Sequence, residues 1–509
     1  MTSAGAETCK LEAKRVDAGS MVGQVPLGYF VQATRPQSIF MQIGGQPGMI
    51  GGPRQDGSTP EFSKVITKEL AKYEAEHPFR GVVKLGSRHY GFVLDTAPKS
   101  DAEKKEADGK DAEGKDANAQ QKTEGVAANA LRQLLGQPPT RAAAQRPIAF
   151  TRLYFDVNGN GDLTDEKVIE ANAAPNANFM SNHASFPAVE VEIDLNGTKF
   201  TYAFTMNVYA YVNPSYSYAN VSLMAATYLE GEMAIADKKY RIAVVDYNSN
   251  GRFDDVSGID NNVSYGDGSV YPSIGDMLFL IDPEASPNTV MNPYDPTTND
   301  IQHYVGKLVN HGGRFFDLSI APSGDKLTLE PSSTAVGFVT NSNKGYQAIM
   351  YGEKGFLKIA GDDLGKASLP EGEWRLAAYS IRRTGEPAKE QKPDSTMLGT
   401  LARAVGGSSS DAARAAYSMV SARGQRDCPP VVVRKDETVE LPFGAPFRPV
   451  VTARYPAGEK TAALSMTLFG AGGEVCSSLM VNGGRPAKPT FKITTEDGTE
   501  VASGAFEYG

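Results

Sequence analysis

Tryptophan, cysteine and histidine are scarce in this chain, with one, three and five copies among 509 residues. The cysteines, Cys9, Cys428 and Cys476, include no pair at CxxC or metal-ligand spacing, which argues against zinc-ribbon and thioredoxin-like chemistry. Two readings remain for them: three separate thiols, or a Cys428–Cys476 disulfide with Cys9 free. The histidines, His77, His89, His183, His303 and His311, form no HxH or HExxH pattern. Neither a GxSxG elbow nor a Walker loop occurs. No apolar run approaches the roughly 18 residues of a membrane span. An excess of basic residues is also lacking. Lys and Arg number 51 against 60 Asp and Glu, a net charge of −9, which argues against general binding to nucleic acid or anionic membranes.

What the chain has in quantity is short alternating runs broken by turn residues. Val82–Leu85 turns at Gly86-Ser87 into Tyr90–Leu94. Val189–Leu195 turns at Asn196-Gly197 into Lys199–Phe204. Phe315–Ile320 turns at Pro322–Asp325 into Lys326–Leu329, and Phe491–Thr494 turns at Asp497-Gly498 into Val501. Asn-Gly, Asp-Gly or other glycine-containing turns between such runs favour β-hairpins. The pattern predicts a mainly β protein of several antiparallel sandwich- or barrel-like domains with few short helices. Helical spacing is confined to Ser63–Glu76, Ala127–Leu135 and Asp411–Ala422.

The first β region is expected over residues 1–98 and 147–300, interrupted by a charged insertion at 99–146. Lys99–Glu124 holds six lysines and eight acids with almost nothing to bury, so disorder is expected there. A middle β region is expected at 301–383, a flexible linker with a short helix at 384–427, and a C-terminal β-sandwich domain at 428–509.

Two loops carry the chemistry: Asp156-Val-Asn158-Gly-Asn160-Gly161 and Asp246-Tyr-Asn248-Ser-Asn250-Gly251. Both follow Asp-x-Asn-x-Asn-Gly-x-(Leu/Phe)-x-Asp, with Asp165 and Asp255 in the last place. Alternating oxygen side chains before a glycine are what calcium needs from a tight turn, as in the opening half of an EF-hand. Position seven, Asp162 or Arg252, would offer its backbone carbonyl. Position twelve should be a bidentate glutamate but is Lys167 or Ser257. Asp165 or Glu166, and Asp254 or Asp255, are the nearest substitutes. Leu153–Phe155 and Ile242–Val245 read as strands, so the expectation is a strand-loop site. Asparagine at positions three and five lowers the charge and with it the affinity, to on the order of 10⁻⁴ M. The competing reading is that such turns hydrogen-bond only themselves.

Other candidates are weaker. Tyr209 and Tyr211 precede Asn213-Pro214, and Tyr216 and Tyr218 follow it. In a hairpin, i and i+2 rings share a face, and four rings could form a platform for sugars or a partner chain. Cross-strand packing is the plainer reading. Asn310-His311-Gly312-Gly313 reads as a turn before a strand, and Trp374 as a core anchor.

Several phrases stand out together: Thr34–Phe40, His77–Gly81, Leu153–Asp165, Val245–Asp255 and Gly470–Cys476. On these the chain resembles secreted, uncharacterised proteins of planctomycete-type bacteria with Asp-x-Asn-x-Asn-Gly calcium loops. The resemblance implies export to the cell envelope or beyond and calcium at the named loops. Met1–Cys9 has no apolar signal core, so the protein is either cytosolic or begins after a removed leader; the loops and the Gly-, Asn-, Ser-, Thr- and Tyr-rich composition favour the second, and the ending at Gly509 reads as abrupt. The function expected is a non-enzymatic, calcium-stabilised structural or adhesive protein whose partner is a cell-surface polymer or another copy of itself. The alternatives are a polysaccharide-binding protein using the tyrosine hairpin, and a carboxylate-dependent hydrolase.

Overall fold

The turn residues do their work as the alternating runs predict. The computed structural model describes residues 6–16, 21–22, 25–26, 37–45, 59–75, 77–98, 149–172, 176–177, 181–195, 197–213, 216–235, 237–259, 268–284, 301–384, 417–455, 461–482 and 484–508. Strands Phe79–Leu85 and Arg88–Asp95 close on the pair Leu85↔Arg88 around Gly86, whose φ of +60° suits glycine. Val189–Leu195 pairs with Thr198–Asn213, Arg314–Ile320 with Lys326–Pro331, and Thr490–Thr494 with Glu500–Ala505. All four hairpins form. The protein is mainly β, built from several antiparallel sheets, and none of those among the described residues closes into a barrel.

Four sheets frame the loops. A four-stranded sheet holds the Phe79–Asp95 hairpin, then Arg152–Phe155 and Ile169–Glu170. A six-stranded sheet is centred on the long hairpin Thr198–Asn213 and Tyr216–Ala225, with Gln37–Gly45 on one flank. A five-stranded sheet runs Glu12–Arg15, Thr227–Ile235, Lys238–Val245, Met277–Ile281 and Gln302–Tyr304. In the fourth, Glu7–Lys10 pairs with Lys326–Pro331, so strands from both sides of residue 300 share one sheet. Buried side chains of all four sheets, including Cys9, Phe92, Phe155, Phe204, Val244 and Leu329, pack into one core. Their alternating inward residues are what the period-two pattern encodes.

A second core gathers Trp374, Tyr346, Tyr379 and Phe443. Trp374 is a core anchor, as the sequence suggests, its indole N–H donating to Pro370 O at 2.8 Å. An eight-stranded sheet here joins Tyr346–Gly352, Gly372–Thr384, Tyr417–Arg423, Val475–Met480 and Ala463–Phe469.

Two helical expectations need correction. Only Phe62–Val65 is helical within Ser63–Glu76 and its surroundings. Ile66 then leaves the helix to bury against Gly91, and Lys68 bridges Asp162. The Asp411–Ala422 helix is not formed at its described end: Tyr417–Arg423 is a strand between Gly372–Thr384 and Val475–Met480. Two long-range ladders outweigh the local alanine-rich preference. The helix expected at Ala127–Leu135 and the charged insertion lie outside the described residues, as does 385–416 of the expected linker. All three cysteines are free thiols, so the Cys428–Cys476 disulfide does not form.

Candidate metal-binding loops

Each loop leaves a β-strand, the first after Arg152–Phe155 and the second after Lys238–Val245. Both back onto the Phe79–Asp95 hairpin. Asp156 N donates to Gly91 O at 3.1 Å, and Gly86 N donates to Asn250 O at 2.6 Å. The template's eighth residue anchors each loop. Leu163 is fully buried beside Ile66 and Val93, and Phe253 is fully buried against Phe200 and Tyr202.

The two loops share one backbone shape. Position four is left-handed in both, at Gly159 (φ +67°) and Ser249 (φ +58°), and so is position six, at Gly161 and Gly251 (φ +77° each). A non-glycine residue pays strain in this region, and Ser249 is held there by the Ala225 N–H, which donates to its Oγ at 3.0 Å. The first aspartate wraps the turn identically. Asp156 accepts from Asn160 N at 3.0 Å and Gly161 N at 3.1 Å. Asp246 accepts from Asn250 N at 3.1 Å and Gly251 N at 2.7 Å. Position five also acts alike, with Asn160 Oδ1 accepting from Asp162 N and Asn250 Oδ1 from Arg252 N.

The closing acids are arranged differently from each other. In the first loop Glu166 accepts from Val157 N at 2.9 Å, while Asn160 Nδ2 donates to Asp165 at 2.9 Å. Asp162 pairs with Lys68 at 2.6 Å, and bonds from Lys68 and Thr164 hold its carboxyl down at about 2. In the second loop Asn248 and Asn250 amide nitrogens both donate to Asp255, at 3.2 and 2.6 Å. Arg252 is drawn to Asp254 at 2.8 Å. The position-two N–H, Tyr247, is met by a residue that the motif does not contain, Asp276. Asp276 lies just before Met277–Ile281, and no spacing signal in the sequence points to it.

The electrostatics separate the two sites. In the first loop Asn158, Asn160 and Asp165 are exposed, so solvent screens them. In the second, Asp246 and Asp276 are both fully buried, with Tyr202 OH donating to Asp246 at 2.7 Å. Burial raises the carboxyl pKa of both, and Asp246 and Asp255 push that of Asp276 further up. Neither buried acid forms an ion pair among the described residues. Asn248 Oδ1 is buried there without a hydrogen-bond partner among the described residues. Donors meet both buried carboxylates: Tyr202 OH, Asn250 N and Gly251 N at Asp246, and Tyr247 N and Asp255 N at Asp276.

No three His, Cys, Asp or Glu side chains among the described residues converge as a metal-binding group. The template draws instead on asparagine oxygens and a backbone carbonyl. The Asn160 and Asn250 amides present nitrogen, not oxygen, to the closing aspartates, so binding there requires those amides to turn over.

The long hairpin brings Tyr209, Tyr211 and Tyr218 together on the sheet face opposite buried Val208, Ala210 and Ala219. Tyr211 and Tyr218 are direct cross-strand partners with ring centres 5.5 Å apart. Tyr209 lies 6.4 Å from Tyr211, and His183 packs on Tyr209 at 4.6 Å. Tyr216 pairs with Asn213 in the ladder, and its side chain lies outside the described residues.

No protein-family model matches the chain, no curated protein matches it, and no solved structure matches it. Among the described residues no helix is long and apolar enough to cross a membrane.

Proposed function

We propose that this is a calcium-stabilised, non-enzymatic β protein of the cell exterior or envelope, with a structural or adhesive role. The observation that carries the reading is the second loop, where Asp246 and Asp276 are buried without an ion-pair partner among the described residues and the Asn248 amide oxygen is buried without a hydrogen-bond partner among them. The first loop, with the same backbone and a more exposed ligand set, supports a second and weaker site. Bound calcium would supply the missing positive charge. Asp246, Asn248 and Asn250, the Arg252 carbonyl and Asp255 would hold it in the second loop. Asp156, Asn158, Asn160, the Asp162 carbonyl and Asp165 or Glu166 would do so in the first. At a Kd on the order of 10⁻⁴ M and about 2 mM calcium, each site stabilises the fold by roughly 1.5 to 2 kcal/mol. That suits a staple, not a cytosolic switch. Thermal melting with calcium and with chelator tests it. Calcium should raise the midpoint, and Asp156→Ala or Asp246→Ala should remove part of the rise. Melting indifferent to both would sink the proposal.

Polysaccharide binding is a second reading, favoured by the contiguous Tyr209, Tyr211 and Tyr218 rings, which suit stacking on sugar faces. Pull-down on insoluble polysaccharides should then be lost in Tyr209→Ala and Tyr211→Ala. Retention equal to wild type removes this reading.

A further inference from the structure

The outer face of the six-stranded sheet changes character along its length. Where Val189–Leu195 pairs with Thr198–Asn213, the outward residues are Glu190, Glu192 and Asp194, and Lys199 pairs with Glu192 at 2.7 Å. That half is an ordinary charged, solvated face. Beyond it the charge stops. Gln37–Gly45, Ser181–Ser185 and Tyr216–Ala225 contain no Asp, Glu, Lys or Arg, and Thr198–Asn213 contains only Lys199. These four strands are neighbours in the sheet. In a chain with 22 % charged residues, such a stretch is not what solubility alone selects. Aromatic and hydrogen-bonding groups take the place of charge. Opposite the buried Met206, Val208, Val221 and Leu223, Asn207 lies directly across from Ser222. Tyr209, Tyr211 and Tyr218 follow on the same face, with ring centres 6.4, 6.0 and 5.5 Å apart. Asn207, Ser222 and the Tyr209 hydroxyl form no side-chain hydrogen bond among the described residues, and their polar atoms lie open to solvent.

We infer that this face binds a neutral polysaccharide and discriminates against acidic ones. The inference rests on the polysaccharide reading given above, and adds to it the charge class of the polymer and the Asn207–Ser222 row. The C–H faces of sugar rings would stack on the tyrosines, while ring hydroxyls would exchange hydrogen bonds with Asn207, Ser222 and the Tyr209 hydroxyl. The exposed His183 imidazole, packed on Tyr209 at 4.6 Å, adds a further polar group at the rim. With no Lys or Arg on the face, nothing offsets the lost hydration of a carboxylate or sulfate. With no Asp or Glu, a cationic polymer meets the same obstacle. A purely apolar surface would leave the amide and the hydroxyls without partners. A neutral polyhydroxylated chain satisfies both the rings and the polar row.

Calorimetric titration of the full chain with cellohexaose, laminarihexaose and hexamannuronate tests the assignment. At least one neutral hexamer should bind about tenfold or more tightly than hexamannuronate. Its affinity should change less than about twofold between about 50 and about 500 mM NaCl, because no charge pair is screened. Tyr209→Ala should weaken it by about tenfold or more, and Asn207→Ala by about fivefold. Melting curves establish that the variants are folded, and Ser222→Ala stands in for Asn207→Ala should that variant not fold. No binding of any hexamer overturns the inference together with the polysaccharide reading. Hexamannuronate binding as tightly as the neutral hexamers, affinity lost at the higher salt, or loss in Tyr209→Ala with indifference to the Asn207–Ser222 row overturns the inference alone.

Discussion

The carboxylate of Asp276 accepts a hydrogen bond from the backbone N–H of Asp255 at 2.8 Å. It accepts another from Tyr247 N at 3.2 Å, so one buried side chain ties the second residue of the loop to its tenth. Asp276 N completes the tie by donating to Asp255 O at 2.9 Å. The loop is therefore clamped from outside its own sequence. Asp276→Ala would leave two loop N–H groups without their acceptor, at about 1–3 kcal/mol each. Urea unfolding should show a loss of roughly 2–6 kcal/mol, and a loss near zero would mean the clamp contributes nothing.

Acidity at this loop fixes a pH dependence. Burial pushes the Asp246 carboxyl up to about 7 and that of Asp276 well above its ordinary range. Both folded-state values exceed those of the unfolded chain, so the folded protein holds extra protons. Their stabilisation is complete below the ordinary carboxylate range and is lost as pH rises through about 7 for Asp246. In chelator, the melting temperature should fall between about pH 5 and about pH 8, and millimolar calcium should flatten that fall by taking the protons' place. Equal slopes with and without calcium would separate the acids from any metal.

Tyr202 is fully buried and its hydroxyl donates to Asp246 at 2.7 Å. Tyr202→Phe removes that bond to an acidic group while keeping the ring. The expected cost is roughly 1–3 kcal/mol in chemical unfolding. A neutral outcome would show that Asp246 is satisfied by the loop amides alone.

Phe253 ties loop to core, with its ring fully buried beside Phe200 and Tyr202. Phe253→Ala should cost about 3–5 kcal/mol by emptying that volume. The same variant should respond less to calcium than wild type, because the loop loses its anchor. An unchanged calcium response in the folded variant would show that the anchor does not shape the site.

Much of this architecture could be read from local signals. Gly86, Gly197 and Gly498 sit between alternating runs, and each turn forms where those residues demand left-handed backbone. The two Asp-Asn-Gly loops also take the shared conformation that their shared spelling suggests. Long-range pairing was not legible. Asp411–Ala422 looks helical because alanine favours a helix locally, yet Ser421 lies between Ser380 and Ser478, partners far away in the chain. Asp276 was hidden for the same reason. Its role depends on where Met277–Ile281 lies beside Lys238–Val245, and nothing near Asp246 in sequence encodes that register. Glu166, by contrast, sits ten residues after Asp156 and could be picked out as a closing acid.

The most direct measurement is a calorimetric calcium titration of the metal-free full chain, beside Asp156→Ala and Asp246→Ala. Two sites with Kd on the order of 10⁻⁴ M are expected, with one lost in each variant. No binding at millimolar calcium, or binding that both substitutions leave intact, would contradict the account.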